Sequence, residues 1–186
     1  GAATLAALSL GVGVAVSRAL GRAGAAGVML KWPNDIWFED RKVGGVLIEL
    51  KAEAGGSAHV VIGLGLNVVL TAAARREIEA GGARVASVAD ACSAAPSRNL
   101  VAGAILDELL GMLREFEREG FAAFRDAWMA LDALSGRRAR VVLGSAVISG
   151  TARGVDTEGA LLLETGEGTQ RFVSGEASLR AIEGDT

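Results

Sequence analysis

The sequence predicts an α+β fold, in which a mixed β-sheet packs with helices over residues 1–135 and a small β-barrel follows over residues 136–186. Three observations predict it. Apolar residues recur at helical spacing at the start of the chain and again after residue 97. Near-continuous apolar runs of strand length lie between those two regions. Short β runs separated by turn residues occupy the chain after residue 138.

The composition is that of a globular protein, since 51% of the residues are hydrophobic and can bury one substantial core. The net charge of −3 includes no basic block, so we expect no nucleic-acid binding by this chain. Because Cys92 and His59 are the only residues of their types, a structural zinc site and an intrachain disulfide are excluded. Arg18 and Arg22 close the uncharged N-terminal run early. We therefore expect no membrane segment and a cytoplasmic location.

The N-terminal segment is predicted to be a buried helix. Its apolar residues at steps of three and four are Leu5, Leu8, Val12, Val16 and Leu20. Gly11 and Gly13 weaken the helix but allow close packing, and the segment 21–27 ends it. Because the chain begins inside this pattern without a methionine, we expect a further segment upstream of Gly1.

Four strands are predicted next. Residues 28–30 and 36–38 are short apolar runs that flank the string KWPND at residues 31–35. Residues 43–50 and 58–66 are near-continuous apolar runs, which is typical of central strands covered on both faces, and residues 53–57 would join them as a hairpin. Glycines interrupt both long strands, where they cost stability unless a bulge or a ligand needs the space.

The second half of the larger unit is predicted to be helical. Residues 72–82 form a polar or weakly helical connection, and residues 87–92 a short helix. Ser97 caps a longer helix that ends at Gly120. The predicted buried face of that helix is Ala102, Ile105, Leu106, Leu109, Leu113 and Phe116. The last predicted helix has its core face at Phe121, Phe124, Trp128 and Leu131. We expect the barrel, which is small for independent stability, to pack against this unit.

Two stretches have the composition of a ligand site, although each has a simpler explanation. Lys31 lies between a strand and a turn, where its ammonium could offset the repulsion between two anions or could simply point into water. Asn34 and Asp35 either position polar atoms of a ligand or cap the turn. The string GLGLN at residues 63–67 lacks the third glycine of a dinucleotide fingerprint, so it could equally be a bulged strand end.

Three strings, in this order, resemble the biotin–protein ligase family, whose members biotinylate the carrier subunit of acetyl-CoA carboxylase. They are KWPND at residues 31–35, RKVGGVLIE at 41–49 and VIGLGLN at 61–67. Near the C-terminus, GALLL at 159–163 and SGEASLR at 174–180 are similar to the family's SH3-like domain. The resemblance implies a catalytic domain of the class II aminoacyl-tRNA synthetase type, truncated at its N-terminus, followed by an SH3-like barrel.

The implied activity is an ATP-dependent ligase reaction. Biotin and ATP form biotinyl-5′-AMP with release of pyrophosphate, and a lysine of a biotin carboxyl carrier protein then attacks the mixed anhydride, with Mg²⁺ sharing the charge. Lys31 matches the family's catalytic lysine and a biotin contact. The other positions carried over for biotin are Ile36, Gly45, Gly63, Gly65 and Leu66. Those carried over for the adenylate are Asn34, Asp35, Asn67 and Arg180, of which Arg180 could also be an exposed barrel arginine. No protein ligand to a metal is implied.

The family's GRGRxGR loop does not occur in this sequence. Because that loop closes over biotin and the adenylate, we expect a C-terminal part of a ligase that is weakly active or inactive alone. The sequence leaves a homodimer open. Two alternatives also stay open: a lipoate- or octanoyl-transfer enzyme of the same fold, and a non-catalytic module that binds a carrier protein.

Overall fold

The computed structural model describes residues 2–52, 58–173 and 178–181, with the backbone alone at residues 2–6, 52, 58 and 178–181. The helices are α1 (Ala2–Arg22), α2 (Ala72–Ala80), α3 (Arg98–Glu119) and α4 (Ala122–Leu131), with a 3₁₀ turn at Val88–Ala91. The strands are β1 (Val28–Lys31), β2 (Asp35–Phe38), β3 (Arg41–Ala52), β4 (Ala58–Leu66), β5 (Arg138–Leu143), β6 (Ala146–Val155), β7 (Leu161–Thr165), β8 (Gly168–Phe172) and β9 (Ser178–Ala181). The predicted α+β class is confirmed.

The first sheet has the strand order β1-β2-β3-β4, and every strand pair in it is antiparallel. The described strands thus form an antiparallel sheet, and parallel pairing with it is limited to isolated bridges of Leu30 with Asp132 and of Lys42 with Val85. Glu39 and Asp40 connect β2 to β3 with φ values of 48° and 57°. This is the turn geometry that matches the right-handed twist of a hairpin. The linker at residues 53–57, predicted to join β3 to β4, lies outside the described residues.

Helix α1 is the centre of the core. Four predicted positions, Leu8, Val12, Val16 and Leu20, are buried, and Val14 on another side of the helix is also fully buried. The sheet packs on one side of α1, and α3 and α4 pack on others. The helix glycines make room for this, as predicted. A Cβ at Gly11 would lie 3.3 Å from the Phe116 ring, and one at Gly13 would lie 3.3 Å from Leu30.

Strands β3 and β4 are not covered on both faces in the described structure, which corrects the sequence prediction. Strand β4 is the edge of the sheet. Large apolar side chains remain in contact with solvent on these strands: Leu47 is 61%, Leu50 51%, Val60 44% and Val61 40% exposed. By alternation Leu47 and Val61 lie on the face opposite α1, whereas Leu50 and Val60 lie on the same face as Val46, farther along the strands. Helix α1 and its neighbours cover that second face at Val46, which is 2% exposed.

The boundaries of α3 were predicted well, but its buried face was predicted only in part: Ile105 is buried and Leu109 and Phe116 pack against the core, whereas Ala102 is exposed. Ser97 caps the helix by accepting a hydrogen bond from Leu100 N, and Gly120 ends it. The buried residues are Val101, Ile105 and Met112. Leu106 and Leu113, both predicted to be in the core, are exposed. Compared with the prediction, α3 is rotated about its own axis, because the side that carries Val101 and Met112 packs against α1.

The C-terminal module is a five-stranded antiparallel sheet of order β8-β7-β6-β5-β9. It packs against the larger unit, as predicted: Trp32 Nε1 donates to the Gly159 carbonyl at 3.1 Å, and Arg125 Nε donates to Val155 O at 3.1 Å. The division of the chain between residues 135 and 136 stays a prediction. Among the described helices, none has the length and hydropathy that crossing a membrane requires.

Candidate active site

Four of the residues singled out in the sequence form one row across the first sheet. The strand register pairs Lys31 with Asp35, Asp35 with Gly45, and Gly45 with Gly65. Residues paired directly across neighbouring strands share a face of the sheet. The row therefore runs over all four strands on the face opposite α1. We call this face the ligand face.

Two lysines and one carboxylate make the charged end of the row. Lys31 Nζ lies 3.6 Å from Asp35 Oδ2, and Lys42 Nζ lies 2.6 Å from Asp35 Oδ1. Only 13% of the Lys31 side chain and 16% of that of Asp35 are exposed. Lys31 Nζ also lies 4.7 Å from the centroid of the Trp37 ring, within the range of a cation–π interaction. With two ammonium groups and one carboxylate, this cluster carries a net positive charge.

Sequence reasoning missed Lys42 as a member of this cluster. Strict alternation would place Lys42 and Gly45, three residues apart, on opposite faces of β3. A bulge opposite Ile36 and Trp37 leaves Val43 as an extra residue of β3 without a partner in β2. Lys42 therefore pairs with Trp37, while Gly45 pairs with Asp35. Lys42 therefore joins Gly45 on the ligand face. The adjacent Gly44-Gly45 pair was the only sequence signal that pointed to a bulge here.

The glycines of the two long strands have different surroundings. A Cβ at Gly44 would lie 2.2 Å from the Gly65 carbonyl oxygen, so the fold itself requires glycine there. A Cβ at Gly65 would meet nothing within 4 Å, and one at Gly45 or Gly63 would make ordinary contacts at 3.4 Å or more. No described neighbour explains the glycine at Gly65. An open glycine on a sheet face lets a ligand approach the backbone closely.

Ile36 and Leu66 are not brought to the ligand face. They belong to the next row, in which Leu30 pairs with Ile36, Ile36 with Gly44, and Gly44 with Leu66. Ile36 is completely buried in the core beneath the sheet, and Leu66 packs against that core.

The two asparagines hold the ends of the row in place. Asn34 Nδ2 donates to Val46 O at 2.8 Å, and Val46 N donates back to Asn34 O at 2.9 Å. Asn67 Nδ2 donates to Ala86 O at 3.1 Å, and Val88 N donates to Asn67 O at 2.7 Å. These bonds fix the turn before β2 and the segment that returns after α2.

Arg180 lies in β9 opposite Arg140 of β5. Its side chain is outside the described residues, so its predicted contact with the nucleotide stays a prediction.

The C-terminal module borders the charged end of the site. An open cavity of about 370 Å³ lies between the first sheet and the segment that leads into the module. Its lining residues are Gly27, Met29, Trp37, Glu39, Asp40, Ala133 and Arg137. Arg137 binds Asp40 through two hydrogen bonds of 2.6 and 3.0 Å, and these bonds hold the pKa of Asp40 below its usual value. Trp37 lines this cavity and also contacts Lys31, so the cavity lies beside the charged end of the row.

Comparisons with known proteins match both parts of the chain. The model of the biotin/lipoate A/B protein ligase family matches residues 2–67, and that of the biotin protein ligase C-terminal domain matches residues 134–180. A biotin–[acetyl-CoA-carboxylase] ligase of Paracoccus denitrificans is 30% identical over 178 residues, which cover 95% of this chain and 74% of that protein. The chain belongs to the biotin protein ligase family.

Other members of the biotin protein ligase family support the same placement. The bifunctional ligase/repressor BirA of Escherichia coli is 35% identical over 176 residues, but the chain covers only 54% of that protein. The chain thus spans about half the length of its BirA relatives. The crystal structure of the Aquifex aeolicus biotin protein ligase superposes with a TM-score of 0.84 at 28% identity, covering 96% of this chain and 76% of that one. The same ligase in complex with biotin and ATP gives a TM-score of 0.80 at 28% identity, with coverages of 96% and 72%. The C-terminal module is consistent with the SH3-like domain of these ligases. Because the Paracoccus denitrificans and Aquifex aeolicus relatives are named for biotin, the lipoate alternative is not favoured.

Proposed function

We propose that the ligand face of this chain binds biotin and ATP and supports the formation of biotinyl-5′-AMP. The row Lys31–Asp35–Gly45–Gly65 carries the proposal, because it combines a partly buried cation with an open glycine backbone on one surface. In the first step the biotin carboxylate attacks the α-phosphorus of ATP and pyrophosphate leaves. In the second step a lysine amine attacks the carbonyl of the mixed anhydride, which forms the amide and releases AMP.

Lys31 has the main electrostatic role in the first step. A carboxylate and a phosphate repel each other as they approach, and an ammonium between them lowers that cost. Limited exposure reduces the screening of Lys31 by water, and its contacts with Asp35 and Trp37 hold it in place before the substrates bind. Lys42 offsets the charge of Asp35, so incoming anions meet a positive cluster.

The glycine end of the row would receive biotin. Gly65 leaves its backbone open, and Leu47 lies beside it on the same face, where its exposed side chain offers an apolar contact. Leu47 pairs with Gly63, so the neighbouring strand has no side chain beside Leu47 that would limit a ligand's access to it. Such a surface suits a ligand with an apolar body and few polar groups. We assign Ile36 and Leu66 to the support beneath this surface.

We propose that Asn34 and Asn67 act on the adenylate by positioning the two segments that flank the row. Both side-chain amides are engaged with backbone carbonyls of this chain. Asp35 would act through Lys31 and Lys42.

Magnesium would reach the site with the nucleotide. In the part of the chain that the structure describes, no three carboxylate, histidine or cysteine side chains gather to hold a metal ion. Asp35, the carboxylate of the row, is already engaged with two lysines. Mg²⁺ prefers phosphate oxygens and water with few protein ligands, so it would be bound through the ATP phosphates.

The acceptor in the second step would be the lysine of a biotin carboxyl carrier protein. The support comes from the name of the Paracoccus denitrificans relative, which is a biotin–[acetyl-CoA-carboxylase] ligase. Transfer to purified carrier domains in the presence of biotin and ATP would identify the acceptor.

The test is calorimetric titration of the chain with a non-hydrolysable analogue of biotinyl-5′-AMP. Lys31→Ala removes a charge-assisted contact worth about 1.5–3 kcal/mol, so binding should weaken by about 10- to 150-fold. Lys51→Ala is the matched control, since it removes an exposed lysine near the far end of β3. Equal affinity of the Lys31 variant and the unaltered chain would refute the role of Lys31. Failure of the unaltered chain to bind the analogue, or tighter binding of lipoate than of biotin, would refute the proposed function.

A further inference from the structure

The charged end of the row holds a second lysine beside the one that serves the α-phosphate. The Lys31 side chain is 13% exposed, whereas that of Lys42 is 52% exposed. The Lys42 ammonium can therefore reach a ligand on the ligand face as well as Asp35. Because an ammonium has three hydrogens to donate, Lys42 can bind a further acceptor without leaving Asp35.

The two ammonium groups lie on the two oxygens of one carboxylate. Lys42 Nζ is 2.6 Å from Asp35 Oδ1, and Lys31 Nζ is 3.6 Å from Asp35 Oδ2. A Cβ at Gly45 would lie 3.5 Å from Lys42 Nζ, so this ammonium lies next to the space that a side chain at residue 45 would take. The two cations thus lie side by side above the sheet, a spacing that suits neighbouring phosphates of one polyphosphate chain.

The backbone of Lys42 is held on both sides. It pairs with Trp37 of β2 on one side. On the other side Lys42 N donates to Arg84 O at 3.0 Å, and Ala86 N donates to Lys42 O at 2.8 Å. A side chain on a fixed backbone loses less conformational freedom when it binds a ligand, so Lys42 is well placed to hold an anion.

Two neighbouring arginines differ from Lys42 in their ion pairs. Arg41 binds Glu39 at 2.9 Å, and Arg137 binds Asp40 at 2.6 Å. Each of them has a carboxylate of its own, whereas Lys42 shares Asp35 with Lys31. Lys42 is therefore the cation of this region with the most remaining capacity for an incoming anion.

The reaction needs a cation at a second point beside the α-phosphate. As an oxygen of the biotin carboxylate bonds to the α-phosphorus, the bond from that phosphorus to the oxygen that bridges to the β-phosphorus breaks. The electron pair of the broken bond stays on the bridging oxygen, and no proton has to move. Negative charge therefore builds up on the departing pyrophosphate, where a positioned cation lowers the barrier.

We propose that Lys42 is a catalytic residue that binds the pyrophosphate part of ATP and stabilises its departure, while Lys31 holds the α-phosphate. This rests on the proposed function, because it assigns a role within the same site. It predicts a pyrophosphate subsite on the ligand face that stays open when the biotinyl-adenylate occupies the row.

The subsite is tested by titrating inorganic pyrophosphate, with Mg²⁺, into the full chain saturated with the non-hydrolysable biotinyl-5′-AMP analogue. The unaltered chain should bind pyrophosphate in the calorimeter. Lys42→Ala should weaken that binding at least about tenfold, because it removes a charge-assisted contact. Lys42→Arg keeps the charge and should retain most of the affinity. Lys51→Ala removes an exposed lysine near the far end of β3, and as the matched control it should leave the affinity unaltered.

A second measurement separates Lys42 from the proposed function. The analogue has no pyrophosphate, so its affinity tests the site as a whole, and the ratio of ATP affinity to analogue affinity tests Lys42. We expect Lys42→Ala to lower this ratio at least about tenfold, whereas Lys31→Ala should weaken the binding of both ligands.

Two results would overturn the role of Lys42 and leave the proposed function standing. One is a chain that binds the analogue but then takes up no pyrophosphate. The other is an equal loss of ATP and analogue affinity in Lys42→Ala, because Lys42 would then serve only as a partner of Asp35. An unaltered chain that does not bind the analogue would refute both proposals.

Discussion

Gly44 and Gly65 are adjacent in space but are needed for different reasons. Gly44→Ala would force a Cβ to within 2.2 Å of a backbone oxygen, so the free energy of unfolding should fall by about 1–3 kcal/mol. Gly65→Ala meets no neighbour, so the free energy of unfolding should change by less than about 0.5 kcal/mol. Only Gly65→Ala should weaken binding of the biotinyl-adenylate analogue directly, because its added methyl group occupies space that the ligand needs. Urea denaturation and titration with the biotinyl-adenylate analogue separate the two effects.

The opposite outcome would count against a ligand at Gly65. If Gly65→Ala destabilises the fold as much as Gly44→Ala, the glycine at residue 65 serves the sheet, and the steric argument for a ligand at that position is lost.

Asp132 makes the stability of the chain depend on pH. It lies at the end of α4, its Oδ1 accepts a hydrogen bond from Leu134 N, and its Oδ2 is buried with no partner among the described residues. Burial raises the pKa of Asp132 to about 6, against the opposing effect of the Leu134 N–H, from 3.8 in the unfolded chain. The folded state therefore binds this proton more tightly than the unfolded state. The corresponding stabilisation is fully present below about pH 4 and is lost as the pH rises through 6.

We expect Asp132→Asn to abolish this dependence while keeping an acceptor for Leu134 N. The shift of about two pKa units corresponds to roughly 3 kcal/mol. Between about pH 4 and about pH 8 the stability of the variant relative to the unaltered chain should rise by approximately that amount. Urea denaturation of both proteins at each pH measures it. A difference that does not change with pH would show that Asp132 titrates normally.

At the scale of an element, α2 depends on one side chain. None of its residues is buried. Arg75 donates to Val85 O at 2.7 Å and to Asp90 Oδ2 at 2.6 Å, which ties the helix to the segment bonded to Asn67. Hydrogen bonds with a charged partner are worth about 1.5–3 kcal/mol, so Arg75→Ala should speed amide exchange in α2 at least about tenfold. Hydrogen exchange followed by mass spectrometry measures this.

Arg76→Ala provides the comparison for α2, because Arg76 is exposed on the same helix and no described side chain binds it. Equal exchange in the two variants would mean that helix propensity, and not the contacts of Arg75, holds α2 in place.

At the scale of the whole molecule, Trp32 joins the motif of the site to the C-terminal module. It is 1% exposed, and its Nε1 donates to the Gly159 carbonyl. Trp32→Phe would leave that carbonyl unpaired in the interior, at a cost of about 1–3 kcal/mol. Trp37→Phe removes a buried N–H that has no partner among the described residues, so that part of the cost should be absent. Thermal denaturation of the two variants tests this difference, and equal losses would mean that packing alone decides them.

The order of the elements was predictable because it depends on local periodicity. The runs that became α1, β3, β4 and α4 were recognisable, as were the caps of α3 at Ser97 and Gly120. The site strings were recognisable because a cation, turn residues and glycines between apolar runs are an unusual combination. None of these signals requires knowledge of what lies across the chain.

Which face of each helix or strand is buried could not be predicted in the same way. The rotation of α3, which exposes Leu106, depends on the contact with α1, and the exposure of Leu47 depends on β4 being an edge. Both are long-range packing outcomes that helix or strand periodicity does not encode.

The sequence by itself determined the family resemblance, the element order and the presence of Lys31 beside glycine-interrupted strands. Only the tertiary structure decided which of those residues share a surface. The bulge at Ile36 and Trp37 brings Lys42 beside Asp35, and the register places Ile36 and Leu66 beneath the site. A shift of one residue moves a side chain to the other face of a sheet, so a site on a sheet depends on strand pairing, which is a property of residues distant in the chain.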